Sequence, residues 1–154
     1  MPRVFQVKSA DPKIELAYTV EQAVGTGCAN ARADVLLVQH LLALAWTETP
    51  KSKGFRPPGE TKPLNVDGVF GPTTGRFIKF FQEEAKRRGA NCAQDGRVDP
   101  VVSGKPAGTI TGTFYTILAL NAARYSRQPG NMNDISRDPA FPVELRKHFI
   151  IDWA

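Results

Sequence analysis

Cysteine and histidine are scarce in this 154-residue chain: only Cys28, Cys92, His40 and His148 occur. A four-ligand structural zinc site is therefore excluded unless both histidines help, and they lie at no metal-ligand spacing, so no metal and no cofactor is expected. The two cysteines are either buried thiols or one disulfide across a loop of roughly 65 residues, worth about 4 kcal/mol in the chain-entropy picture. The bridge needs an oxidising compartment, which nothing else in the sequence guarantees. No apolar run of about 18 residues exists, so no membrane insertion is expected. Met1 to Ala10 lacks the basic-then-apolar order of a secretory leader. The chain is thus expected to be cytoplasmic, to be exported to the cell envelope without an N-terminal signal, or to be a mature form.

What is present is ordinary globular material: 42% hydrophobic and 23% charged residues, at a length that suits one domain with a real core. Twenty Lys and Arg against 15 Asp and Glu give a net charge of +5. That balance favours nucleic acid, anionic lipid or anionic wall polymer, or it confers solubility only, because the basic residues are spread along the chain.

Val4, Phe5 and Val7, then Ile14, Leu16, Tyr18 and Val20, alternate as strands do, interrupted by Asp11-Pro12; residues 1–27 are expected to form an extended, hairpin-like arm. From Asp34 to Trp46 only Gln39 and His40 interrupt an apolar run without proline or glycine, which predicts a central helix with Asp34 at its N-cap or first turn. Residues 47–63, rich in Pro, Lys and Gly, predict a long basic loop. Asp67-Gly68 then makes a tight turn, Pro72 takes the first helical position, and a helix runs to about Arg88 with Phe77, Ile78, Phe81 and Ala85 on its apolar face. A second Asp-Gly turn at Asp95-Gly96 and a loop at 103–108 precede a helical pattern from about Thr113 to Tyr125 carrying Phe114, Ile117 and Leu118. A short closing helix is expected over 143–150.

Two stretches carry a resemblance. Asp34-Val35-Leu36-Leu37-Val38-Gln39-His40-Leu41-Leu42 and Asp67-Gly68-Val69-Phe70-Gly71-Pro72-Thr73-Thr74-Gly75-Arg76-Phe77-Ile78-Lys79-Phe80-Phe81-Gln82 resemble the signature of the peptidoglycan-binding-like domain family. Val38 stands where leucine is usual and Phe77 where a small alanine is common. The resemblance implies a mainly α fold with a compact three-helix core at 28–128, preceded by the extended arm at 1–27 and followed by a C-terminal extension at 129–154 that packs on the core. Asp95-Gly96 with the helix after it reads as a degenerate echo of the first turn, or as ordinary turn chemistry.

The resemblance also implies a function: non-catalytic binding of bacterial cell-wall peptidoglycan, targeting this protein or an associated factor to the wall. Catalysis is not expected. Glu83 and Glu84 are adjacent on a helix and face different ways, unlike a glycosidase pair; His40 reads as a packed side chain; no motif surrounds Cys92 or His148. A groove offering amides, an aromatic and cations suits wall glycan and its carboxylate-bearing stems. The candidate contacts are Gln39, Asp67, Arg76 and Tyr115, with Lys51, Lys53 and Arg56 on the loop, each with a structural role open to it as well. The alternative is a protein-interaction module of a secretion or phage-derived assembly, docking through residues 3–20 or the tail Phe149–Ala154. Nucleic acid is not the expected partner, since Lys86-Arg87-Arg88 sits where helix-dipole chemistry alone places cations.

Overall fold

The computed structural model describes residues 2–6, 16–101, 115–128 and 134–146. Its centre is helix α1, Arg32–Trp46, in which every residue from Asp34 to Leu42 is buried. A leucine- and alanine-rich run without breakers favours helix, and its apolar circumference requires partners on several sides. Helix α2, Pro72–Arg87, and helix α3, Thr116–Arg127, supply two of them. Trp46 of α1 meets Phe77 of α2 with ring centroids 6.1 Å apart. Pro72 opens α2 as expected, and Lys86 and Arg87 close it where cations complement the helix dipole. Helix α3 starts three residues later than its pattern suggests, after Tyr115; Phe114 and the 103–108 loop lie outside the described residues.

Asp34 takes the second of its two expected places, the first turn of α1. Ala31, not Asp34, stands at the N-cap of α1. The Asp34 carboxylate instead accepts the backbone N–H groups of Glu21 (2.9 Å) and Gln22 (3.1 Å), tying the preceding segment to the helix. Burial pushes its carboxyl above the usual range, against the lowering effect of the Gln22 bond.

The N-terminal hairpin forms, but it is no free arm. Strands β1, Arg3–Gln6, and β2, Leu16–Thr19, pair antiparallel with Arg3 opposite Thr19 and Gln6 opposite Leu16. Tyr18 and Val20 are fully buried. Asn121 of α3 clasps Tyr18 from both sides, accepting its N–H and donating to its carbonyl, each at 2.8 Å. A second pair of short strands, β3 (Val24–Gly25) and β4 (Arg97–Val98), joins the end of this region to the second Asp-Gly turn.

The expected closing helix appears as α4, Val143–Arg146, preceded by a 3₁₀ turn at Ile135–Arg137; the rest of 143–150 and the Phe149–Ala154 tail lie outside the described residues. Ile135, Phe141 and Leu145 are buried in the same core as the helices. The described residues are therefore a helix-leaning mix of four helices and two small two-stranded sheets, and their core is wider than a three-helix one, because β2 and the C-terminal turns fill it too. Cys28, half-buried, and Cys92, buried, are both free thiols, so the disulfide reading does not hold here.

The basic loop is anchored rather than loose. Apart from one bridge between Thr49 and Ser52 it has no regular structure, yet Phe55 is buried and stacks on Phe81 of α2 at 4.5 Å.

Candidate functional site

The first Asp-Gly turn is built around one side chain. Gln39 is 1% exposed. Its Oε1 accepts the N–H groups of Asp67 (3.1 Å) and Gly68 (2.8 Å), while its Nε2 donates to Asp67 Oδ1 (3.0 Å), the Val69 carbonyl (3.1 Å) and Thr74 Oγ1 (3.2 Å). Both amide protons and both carbonyl lone pairs are thus spent on the fold, leaving no donor or acceptor for a ligand. Asp67 Oδ1 also accepts the Val69 N–H at 3.0 Å, and these bonds hold the Asp67 carboxyl below the usual range. Gly68 has φ +76, which favours glycine, and a Cβ there would lie 2.7 Å from Arg32 Nη1, so a larger residue would also have to displace that guanidinium.

The second turn repeats the device. Gln82 of α2 is buried; its Oε1 accepts the Gly96 N–H at 2.8 Å, and its Nε2 donates to Asp95 Oδ1 (3.1 Å), the Arg97 carbonyl (2.9 Å) and Thr116 Oγ1 (3.0 Å). Asp95 Oδ1 accepts the Arg97 N–H at 3.0 Å, and Gly96 has φ +71. Helix, glutamine, Asp-Gly turn, threonine and next helix therefore occur twice in overlapping order, with α2 serving both units. The echo noted at Asp95-Gly96 is a structural repeat. Gln82, Asp95 and Thr116 were not among the expected site residues; the signal that points to them is a glutamine preceding each Asp-Gly pair.

The remaining candidates divide. Tyr115 is half-buried just before Thr116 and so belongs with the second turn, not with Gln39. Arg76 faces solvent on α2 and is ion-paired with Glu60 of the loop. Lys51 and Lys53 are exposed on the loop. Arg56 lies beside them, donating to the Trp46 carbonyl at 3.0 Å with its guanidinium 5.0 Å from the Trp46 ring centre. Two arginines missing from the sequence-based set hold this loop in place: Arg88 and Arg127 both donate to the Lys53 carbonyl, at 2.9 and 3.0 Å, which keeps two like charges within a few ångströms of each other. Arg88 also sits over the Phe55 ring at 4.0 Å. Burial, reinforced by Arg88, depresses the Arg127 guanidinium from its ordinary range.

A second polar cluster lies inside the molecule. His40, 2% exposed, places Nε2 3.2 Å from Asp138 Oδ2 and meets the Phe141 ring edge-on at 5.3 Å. Gln128 donates to the same Asp138 oxygen at 2.9 Å. Arg124, fully buried, stacks its guanidinium 5.3 Å from the Tyr18 ring, whose hydroxyl accepts the Ile135 N–H at 2.9 Å. Burial pushes the His40 imidazole down to about 4 against the attraction of Asp138, and pushes Tyr125 up to about 12. His40 is therefore neutral at pH 7, and the cluster fastens the C-terminal turns onto α1 and α3.

Among the described residues no group of three or more His, Cys, Asp or Glu converges as metal ligands would, and no helix is long and apolar enough to cross a membrane. Glu84 is committed to Arg87 and to Arg88, which hold its carboxyl below the usual range; Glu83 is exposed. Comparison with family models, with curated proteins and with solved structures returned no match to this chain.

Proposed function

We propose that this protein is a non-catalytic module of the peptidoglycan-binding-like kind, which docks onto bacterial cell-wall material and brings itself or an associated factor to it. The observation that carries the reading is the Gln39–Asp67–Thr74 clamp, because it gives one physical reason for three polar positions of the signature that resembles that family. A glutamine on the first helix, an Asp-Gly turn and a threonine in the first turn of the next helix belong together as one hydrogen-bonded unit, and here they are one. Since that unit is saturated, the ligand contacts fall to the solvent-facing cations nearby: Lys51, Lys53 and Arg56 on the loop and Arg76 on α2. Gln39 and Tyr115 act as framework in this reading, and Asp67 presents its outward oxygen.

The test is co-sedimentation of the purified protein with insoluble peptidoglycan sacculi at physiological salt, beside an unrelated protein of equal net charge. Saturable retention above that control is expected. Retention no greater than the control's contradicts the proposal and turns the search to a protein partner.

A further inference from the structure

The +5 charge of the chain is not spread over it. Residues 51–88 hold nine Lys and Arg against four Asp and Glu, and the rest of the chain balances at eleven of each. Within that segment three of the four carboxylates are engaged, Glu60 by Arg76, Glu84 by Arg87 and Arg88, and one Asp67 oxygen by its own turn, while Glu83 is exposed. Lys51, Lys53, Lys62, Lys79 and Lys86 are left exposed, together with Arg56, whose nearest carboxylate, on Glu48, is 3.7 Å away.

The fold lines up the loop's share of these cations along one side of α2. Arg88, at the C-terminal end of α2, holds the Lys53 carbonyl, and Arg76, near its N-terminal end, holds Glu60. The loop therefore runs back along α2, strapped at both ends, with Phe55 packed on Phe81 between the straps. Lys51, Lys53, Arg56 and Lys62 thus lie along this strap, a ridge about as long as the stretch from Arg76 to Arg88, roughly 18 Å at 1.5 Å per residue, whereas the stem of Lys79 covers Gly96 of the second turn.

We propose that this ridge is the ligand-contacting face of the molecule and that it binds the free carboxylates of peptidoglycan stem peptides, an inference that rests on the wall-binding reading above. A ridge of lysine ammonium groups is a row of hydrated point charges on flexible stems, suited to spaced, mobile anions rather than to one rigid bidentate group. The arginines of the same face already hold carboxylates of the chain itself, Glu60 and Glu84, so the face is chemically compatible with such groups. Nucleic acid fits less well. The aromatics nearest the cations, Trp46 and Phe55, are each only 8% exposed and lie under Arg56 and Arg88, so they offer no platform on which bases could stack.

The experiment uses the full chain and three probes at matched salt: sacculi freed of accessory phosphate polymers, the same sacculi with their carboxyls amidated, and a random-sequence DNA duplex. A Lys51→Gln, Lys53→Gln, Lys62→Gln triple variant, checked for an unchanged unfolding midpoint, runs beside the parent. Amidation and the triple variant should each weaken retention on sacculi at least tenfold, the parent's retention should fall steeply with added salt, and DNA should bind no tighter than sacculi. Equal retention on native and amidated sacculi overturns the carboxylate proposal while leaving wall binding standing; no retention on either overturns both. Tighter binding to DNA than to sacculi assigns the ridge to nucleic acid instead. Should the triple variant fail to fold, the amidation arm decides alone.

Discussion

The two glutamine-clamped turns use the same parts and differ in how tightly they are closed. Gln39 accepts two turn N–H groups where Gln82 accepts one. The first turn runs straight into α2, its threonine seven residues after Asp67; the second passes through β4 and reaches Thr116 only 21 residues after Asp95. Over the first glycine lies the Arg32 guanidinium, itself paired to Glu144 of α4 at 2.6 Å; over the second lies only the aliphatic chain of Lys79, 3.2 Å from where a Cβ would stand. The first turn thus links α1, α2 and α4, whereas the second fastens α2 to α3 and β3. A buried amide can organise a tight turn wherever the chain brings Asp-Gly beneath it, and the neighbours decide how much else depends on it.

The largest expected effect breaks that comparison at its centre. Gln39→Leu leaves the Asp67 and Gly68 N–H groups without their acceptor and should lower unfolding stability by on the order of 3 kcal/mol, read from urea midpoints. Gln82→Leu strands only the Gly96 N–H, so about 2 kcal/mol is expected. Equal losses, or a larger loss at Gln82, would count against the ranking.

Next comes pH, which separates Gln39 from its neighbour His40. The clamps contain no buried titrating group, but His40 does titrate. Its folded pKa of about 4 lies below the unfolded value near 6.5, so between those limits the unfolded chain takes up a proton that the folded one refuses. The contribution is complete above pH 6.5 and is lost as pH falls towards 4, by about 2 to 3 kcal/mol. His40→Gln should flatten the stability profile over that window; a slope unchanged by the substitution assigns the loss to other groups.

The smallest effect lies at the glycines. Gly68→Ala and Gly96→Ala both place a side chain at positive φ, a cost of about 1 to 2 kcal/mol. Gly68→Ala should cost the more of the two because Arg32 must also move off the turn. Matching thermal midpoints for the two variants would show that the Arg32 cover is incidental.

How much of this was legible in the sequence follows from how local the signals are. Pro72 at the first helical position, the Phe77, Ile78, Phe81 and Ala85 face, and the last-turn cations agree within one element, and α2 stands within a residue of where they put it. The apolar run of α1 was equally plain. Its acid was not: Asp34 has the position of a helix-start residue, and only the packing of residues 21–22 against the helix makes it their acceptor. The β1–β2 hairpin showed its alternation, but not that Asn121, about a hundred residues later, holds it in the core. Gln39 was singled out as a candidate contact with a structural role open to it, and its hydrogen bonds to the turn take up its amide. Gln82 was legible as the end of the signature but not as the clamp of the second turn, because its threonine lies beyond a long insertion, and buried Arg124 was not legible because nothing in a helical pattern distinguishes a cation facing Tyr18 from one facing water.

The most direct test of the duplicated clamp is hydrogen exchange of the side-chain amide protons of Gln39 and Gln82, followed by NMR on the nitrogen-15-labelled protein. Both carboxamide pairs should be shifted from the random-coil position and protected well beyond those of exposed Gln22 and Gln94. Exchange of Gln39 and Gln82 as fast as that of the exposed pair would contradict the account and return Gln39 to the list of groups free to meet a ligand.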